Sequence, residues 1–265
     1  KHIYLNLKRF DVPVEMGGVN RIAPLSDWAA YIVEQTQEEL RKYDPQKAEF
    51  CMYFPEMHLL PALSARKEDS PVQVGCQSVF RDDVKQGGNF GAFTTNRPAA
   101  SMAAAGCVST IIGHCEERND KAGVLAEAGV TDTDAVNRLL NKEIKCAIDR
   151  GLSVLYCIGE KSEEQEQWQE VLGKQLSIGL EGVDVSKVVI ADKEYITKIA
   201  RFVKEKTGGM DIVYGGGLKQ ENAAMLASIE EIDGGLIALT RFQGEIGYYP
   251  EEYLEIIRLY MEACK

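Results

Sequence analysis

Two periods alternate along this chain. Short apolar or two-residue-alternating runs occur at Ile3–Leu7, Phe50–Phe54, Val72–Gln77, Thr110–Gly113, Val154–Ile158, Val188–Ala191, Ile212–Tyr214 and Leu236–Leu239. Each has the length and composition of a buried strand. Between them lie longer stretches with apolar residues three and four apart: Ser26–Tyr43, Arg97–Ala105, Asp132–Arg150, Glu163–Leu180, Lys193–Lys206, Gln220–Ser228 and Pro250–Ala263. That spacing predicts amphipathic helices.

Several helix ends carry their own signals. Gly151 follows Arg150, a basic last turn and then a glycine stop. Pro250 with Glu251 and Glu252 makes a favourable first turn. Strands of this length separated by helices imply βαβ units in a parallel sheet. Eight such units, with no Pro/Ser-rich linker to divide them, predict an α/β fold of the closed (β/α)8 type, the TIM barrel, as one domain over residues 1–265. The competing architecture is an open doubly wound sheet. The first strand is not followed by GxGxxG, which weakens a dinucleotide-binding version of it.

Composition narrows the class. The chain has 265 residues, 45% hydrophobic and 27% charged, with a formal net charge of −11. Nucleic acid and anionic membranes favour a basic face, so neither is expected as a partner. Seven scattered cysteines without a CxxC or Cys/His cluster point to a reducing, cytoplasmic setting and away from disulfides or zinc. No apolar run approaches ~18 residues, and "KHIYLNLKRF" reads as a strand, not as a signal-peptide core.

Catalytic groups of parallel barrels sit at the C-terminal ends of strands. After the first strand come Asn6 and Lys8, which period-two alternation places on one side. After the fourth comes "IIGHCEERND". His114 stands where an apolar strand becomes a charged helix start, and a helix N-terminus favours the neutral imidazole. Glu116, two residues on, reads either as a helix-start carboxylate or as a partner for Lys8. After the seventh strand, Gly215–Gly217 let backbone N–H groups approach a ligand, and loops after strands seven and eight often bind phosphate. "GGNFGAFTT" is a long loop suited to a lid or an oligomer contact.

Taken together, "NLKRF", "GAFTT" with Phe93 standing 21 residues before the histidine of "IIGHCEER", "YCIGE", "KVVIA", "YGGG" and "IDGGLIALTRF" resemble the triosephosphate isomerase family, in order over most of the chain. The resemblance implies a cytoplasmic barrel enzyme of glycolysis and gluconeogenesis, interconverting glyceraldehyde 3-phosphate and dihydroxyacetone phosphate through an enediolate. It implies a homodimer through the 87–97 loop, and no metal or organic cofactor. His114 would polarise the substrate oxygens as a neutral imidazole, which is the family's established mechanism and not a deduction from this chain. Lys8 would offset negative charge, Asn6 would orient the oxygen, and Glu116 would hold Lys8. Backbone groups of Gly216, Gly217, Ala238 and Leu239 would bind phosphate.

The departures are as informative. The family's stretch after strand six holds the general-base glutamate and a mobile lid, whereas Asp192 directly follows Ala191. Asp192 reads as a helix N-cap and not as the base. Ala238 and Leu239 replace a glycine pair, and Arg241 offers a charged contact instead. The loop Arg9–Trp28 is about ten residues longer than usual, against typical connections of ~2–6. Asn96 and Glu117 replace a family ion pair, which makes Arg97 a candidate partner for Glu117. Three functional readings follow: triose phosphate isomerase, isomerase of a four-carbon erythrulose-type phosphate, or a non-catalytic barrel binding phosphorylated ligands. The short turn implies either a lost base or a segment between Ala191 and Asp192 missing from the sequence, and the four retained residues Asn6, Lys8, His114 and Glu116 favour the second.

Overall fold

The structure, a computed structural model, describes residues 1–132, 134–159, 167–192 and 195–264. Eight strands close into a barrel in chain order. They are β1 (His2–Asn6), β2 (Glu49–Phe54), β3 (Val72–Cys76), β4 (Ser109–Ile112), β5 (Ser153–Cys157), β6 (Lys187–Ile190), β7 (Asp211–Tyr214) and β8 (Gly234–Ile237). The helices among the described residues are α1 (Trp28–Leu40), α2 (Leu59–Ala65), α3 (Ala99–Ala105), α4 (Cys115–Glu127), α5 (Asp134–Asp149), α6 (Trp168–Gly179), α7 (Ile196–Thr207), α8 (Ala223–Ala227) and α9 (Pro250–Ala263).

All eight expected strands are present, and the (β/α)8 architecture is as read. Three details differ. Two helices carried no apolar period: α4 buries none of its side chains, and α2 is seven residues long with Pro61 inside it. The last strand begins at Gly234, two residues before the expected Leu236. A Cβ on Gly234 would stand 1.9 Å from the His2 carbonyl oxygen, and one on Gly235 2.5 Å from Leu218 Cδ2. Only glycine lets β8 approach its surroundings this closely.

Two compact units make up the described chain. In the first, residues 1–77, 105–107 and 213–265, β1 pairs in parallel with β2 and β8, so that Ile3 lies opposite Phe50 on one side and Gly235 on the other. Helix α1 packs on α2 and α9, and α9 on α8. The Trp28 ring meets Phe54 edge-on at 6.1 Å. Tyr253, Ile256, Ile257 and Tyr260 are fully buried. In the second unit, residues 78–104 and 108–212, β4 and β6 flank β5 in parallel. There α5 packs on α6, with Asn141 Nδ2 donating to the Gly179 carbonyl at 2.9 Å. No helix among the described residues is long and apolar enough to cross a membrane.

Candidate active site

In the first unit the site begins where β1 ends. Asn6 is buried, and its Oδ1 accepts the Lys8 N–H at 3.0 Å. Lys8 has φ +42, a left-handed conformation uncommon for a residue with a Cβ. Its side-chain direction is therefore set by this turn and not by strand alternation, which stops at Asn6. Gln77 holds the turn from the end of β3: its Nε2 donates to the Lys8 carbonyl at 3.0 Å and lies 3.3 Å from that of Tyr53. Strained backbone of this kind persists only where its surroundings enforce it. Gln77 escaped the sequence reading because its work is done on backbone atoms up to 69 residues away.

The loops after β7 and β8 also belong to this unit. Gly217 adopts φ +96, and its carbonyl accepts from Asn222 Nδ2 at 2.8 Å. The N–H groups of Gly216, Gly217 and Leu239 have no acceptor among the described residues. Arg241, the expected charged contact, is paired with a neighbouring carboxylate. Its Nε donates to Glu252 Oε1 at 2.7 Å, and its guanidinium lies 3.8 Å over the Tyr249 ring. Thr240 Oγ1 donates to the same carboxylate at 2.9 Å. The extended first loop reaches this region: Arg21 Nη1 donates to the Ile246 carbonyl at 2.9 Å. Asp11 ties that loop to the segment after β2, buried against His58 Nε2 at 3.0 Å, and pairs with Arg9 Nη2 at 2.7 Å.

In the second unit His114 is the N-cap residue of α4, about one-fifth exposed. Its Nδ1 is 3.5 Å from Glu116 Oε2, whose side chain is 77% exposed. Among the described residues of this unit Glu116 is the carboxylate nearest the imidazole Nδ1 in ion-pair geometry. Behind His114, Gly113 (φ +82) is gripped from both sides. Its N–H donates to Glu117 Oε2 at 2.6 Å, and its carbonyl accepts from Arg118 Nε at 2.8 Å. Arg118 also binds the Cys157 carbonyl at 2.8 Å and Tyr156 Oη at 3.0 Å, which ties the end of β4 to the end of β5.

The expected Arg97–Glu117 pair does not form. Glu117 accepts from Ser78 Oγ at 2.9 Å and pairs with Lys121 at 3.0 Å, and Lys121 pairs with buried Glu143 at 2.9 Å. Burial, reinforced by the Glu117 charge, pushes the Glu143 carboxyl up to about 9. Burial acts on Glu117 in the same sense, but its bond with Glu143 and the Lys121 charge outweigh it and hold Glu117 below its usual range. One proton on two carboxyls with one ammonium leaves the cluster neutral near pH 7.

At the β6–α7 turn Asp192 is not the N-cap expected of it: that position falls on Tyr195, whose N–H donates to Asp192 Oδ1 at 2.9 Å. Among the described residues no other carboxylate follows β6 before α7. Glu160 of "YCIGE" lies outside the described residues.

A closed parallel barrel with a strained lysine after β1, a helix-capping histidine after β4 and glycine turns after β7 defines a (β/α)8-barrel protein with its polar groups at the strand ends. Comparison with known proteins makes this specific. The sequence profile described as triosephosphate isomerase matches residues 26–195 and 190–258, and its two matches meet at the β6–α7 turn. Triosephosphate isomerase of Dictyoglomus thermophilum is 27% identical over 248 residues, covering 83% of this chain and 89% of that protein. That of Pelodictyon phaeoclathratiforme is 33% identical over 174 residues, covering 56% and 64%. A crystal structure of triosephosphate isomerase from Bartonella henselae shares the fold with a TM-score of 0.72, at 19% identity and 98% coverage of both chains. The chain belongs to the triosephosphate isomerase family.

Proposed function

We propose that this protein is an aldose–ketose isomerase that interconverts glyceraldehyde 3-phosphate and dihydroxyacetone phosphate. Family membership over residues 26–258 carries the reading. His114 donates a hydrogen bond to the oxygens of the enediolate, where a neutral imidazole stabilises developing charge without adding a full positive charge. Lys8 supplies the positive charge that offsets the substrate and the enediolate, and Asn6 fixes the Lys8 turn through its Oδ1. Glu116 orients the His114 ring from Nδ1. Backbone groups of Gly216, Gly217, Ala238 and Leu239 receive the phosphate.

Proton abstraction needs a general base, and the family's base-and-lid stretch is not found after β6, where the sequence carries only Asp192 and Glu194 ahead of α7. The profile match is split in two at the same turn, its parts overlapping over residues 190–195, which supports a segment missing between Ala191 and Asp192. The subunit works as a cytoplasmic homodimer. Phe90, 81% exposed at the tip of the 87–97 loop, is the apolar residue that such a contact would cover. Assay with glyceraldehyde 3-phosphate beside erythrose 4-phosphate tests the substrate: the triose is expected to have the higher kcat/KM, and preference for the tetrose overturns the assignment.

A further inference from the structure

Two cations flank the loop that follows β8, and the structure treats them differently. Arg241 is neutralised by Glu252 and stacked on Tyr249. Lys219, in the loop after β7, has no carboxylate partner among the described residues, in a chain with 41 acidic and 30 basic side chains. Its ammonium instead lies 3.6 Å from the centroid of the Phe242 ring, which is 41% exposed in the loop after β8. Its Cε stands 3.5 Å from the point that a Cβ on Gly217 would occupy. The side chain therefore folds back over the left-handed Gly217 turn, whose N–H groups at Gly216 and Gly217 have no protein acceptor among the described residues.

An aromatic face holds an ammonium in place without cancelling its charge. Backbone N–H groups in a left-handed glycine turn form an anion-binding concavity. A fixed, unneutralised cation beside such a turn is suited to a phosphomonoester dianion. We propose that Lys219, positioned by Phe242, is a phosphate ligand of this protein, supplying charge that Arg241 does not. The geometry also gives the two loops a shared purpose: β7 contributes the cation and the N–H groups, and the loop after β8 contributes the ring that aims the cation. For the substrate's own phosphate the proposal rests on the isomerase reading. For inorganic phosphate it does not.

The test uses the full chain with Lys219→Met, Lys219→Arg and Phe242→Ala. Inorganic phosphate is titrated by calorimetry, and KM and kcat for glyceraldehyde 3-phosphate are measured in parallel. Lys219→Met is expected to raise the phosphate Kd and the KM at least tenfold with kcat within threefold, the signature of lost uniform binding. Lys219→Arg is expected to restore most of the affinity, and Phe242→Ala to weaken it about threefold. A phosphate Kd within twofold of the unaltered chain in Lys219→Met overturns the proposal, whatever happens to turnover. Loss of phosphate affinity in a protein with no isomerase activity upholds Lys219 and removes the isomerase reading.

Discussion

Glu117 accepts the backbone N–H of Gly113 at 2.6 Å, and so fixes the residue that precedes His114. Arg118 takes the carbonyl of the same glycine. A helix whose outer surface buries nothing thus organises the strand end through the polar residues of its first turn. A Cβ on Gly113 would lie 2.7 Å from the Cys157 carbonyl oxygen and 3.0 Å from Arg118 Nη2. Gly113→Ala is expected to cost about 1–3 kcal/mol for the left-handed backbone alone, read as a lower urea midpoint, and to lower kcat more than it raises KM. Unchanged stability would contradict this.

The neutral cluster of Glu117, Lys121 and Glu143 predicts a pH dependence. Glu143 keeps its proton in the folded chain up to about 9, whereas an unfolded glutamate releases it near its ordinary value of 4.5. The folded state then binds more protons between those limits, so this group's contribution to stability falls as pH rises from about 4.5 through 9. Glu143→Gln removes that slope. Melting temperatures at pH 5 to 9 are expected to converge or cross between the two chains, and parallel curves would sink the idea.

Lys121 is the one cation of that cluster. Lys121→Met leaves the buried Glu143 and the partly buried Glu117 without their shared ammonium, and removal of one member of a buried pair costs up to roughly 3–5 kcal/mol. A loss well above that of Glu143→Gln is expected in denaturant titration. Equal losses would show that the ammonium is not what neutralises the cluster.

Gln77 supports the Lys8 turn from a distance. Gln77→Ala removes the donor to the Lys8 carbonyl. A misplacement of ~1 Å in a catalytic group can cost 10²-fold, so kcat/KM is expected to fall at least tenfold while stability drops by about 1–3 kcal/mol. Turnover within twofold would remove Gln77 from the catalytic support.

The β6–α7 turn yields a direct prediction about the chain itself. Trypsin acting on the sequence as it stands releases Val188–Lys193, with Ala191 joined to Asp192. Peptide mapping of the native protein is expected to find additional residues, a glutamate among them, at that join. Detection of the short peptide would instead identify a chain without the family's base.

Much of this was legible in the sequence because it is periodic or local. The strands announce themselves by apolar runs, and Asn6, Lys8 and His114 by polar residues at the ends of those runs. What was illegible is long-range or non-apolar. Helix α4 has no buried face to create a period. Arg241 looked available because its partner Glu252 is a turn and a helix start away. Glu117 found Lys121 one helical turn on, not Arg97. Lys219 gave no signal, since an ammonium on an aromatic ring leaves no spacing to read.

Turnover of glyceraldehyde 3-phosphate in D2O, followed by NMR, tests the isomerase assignment most directly. An enediolate exchanges its proton with solvent, so dihydroxyacetone phosphate is expected to appear carrying deuterium at C1, with kcat reduced at least 100-fold by His114→Gln. Neither conversion nor deuterium exchange by the native protein, under conditions where it binds inorganic phosphate, would contradict the assignment and leave a phosphate-binding barrel in its place.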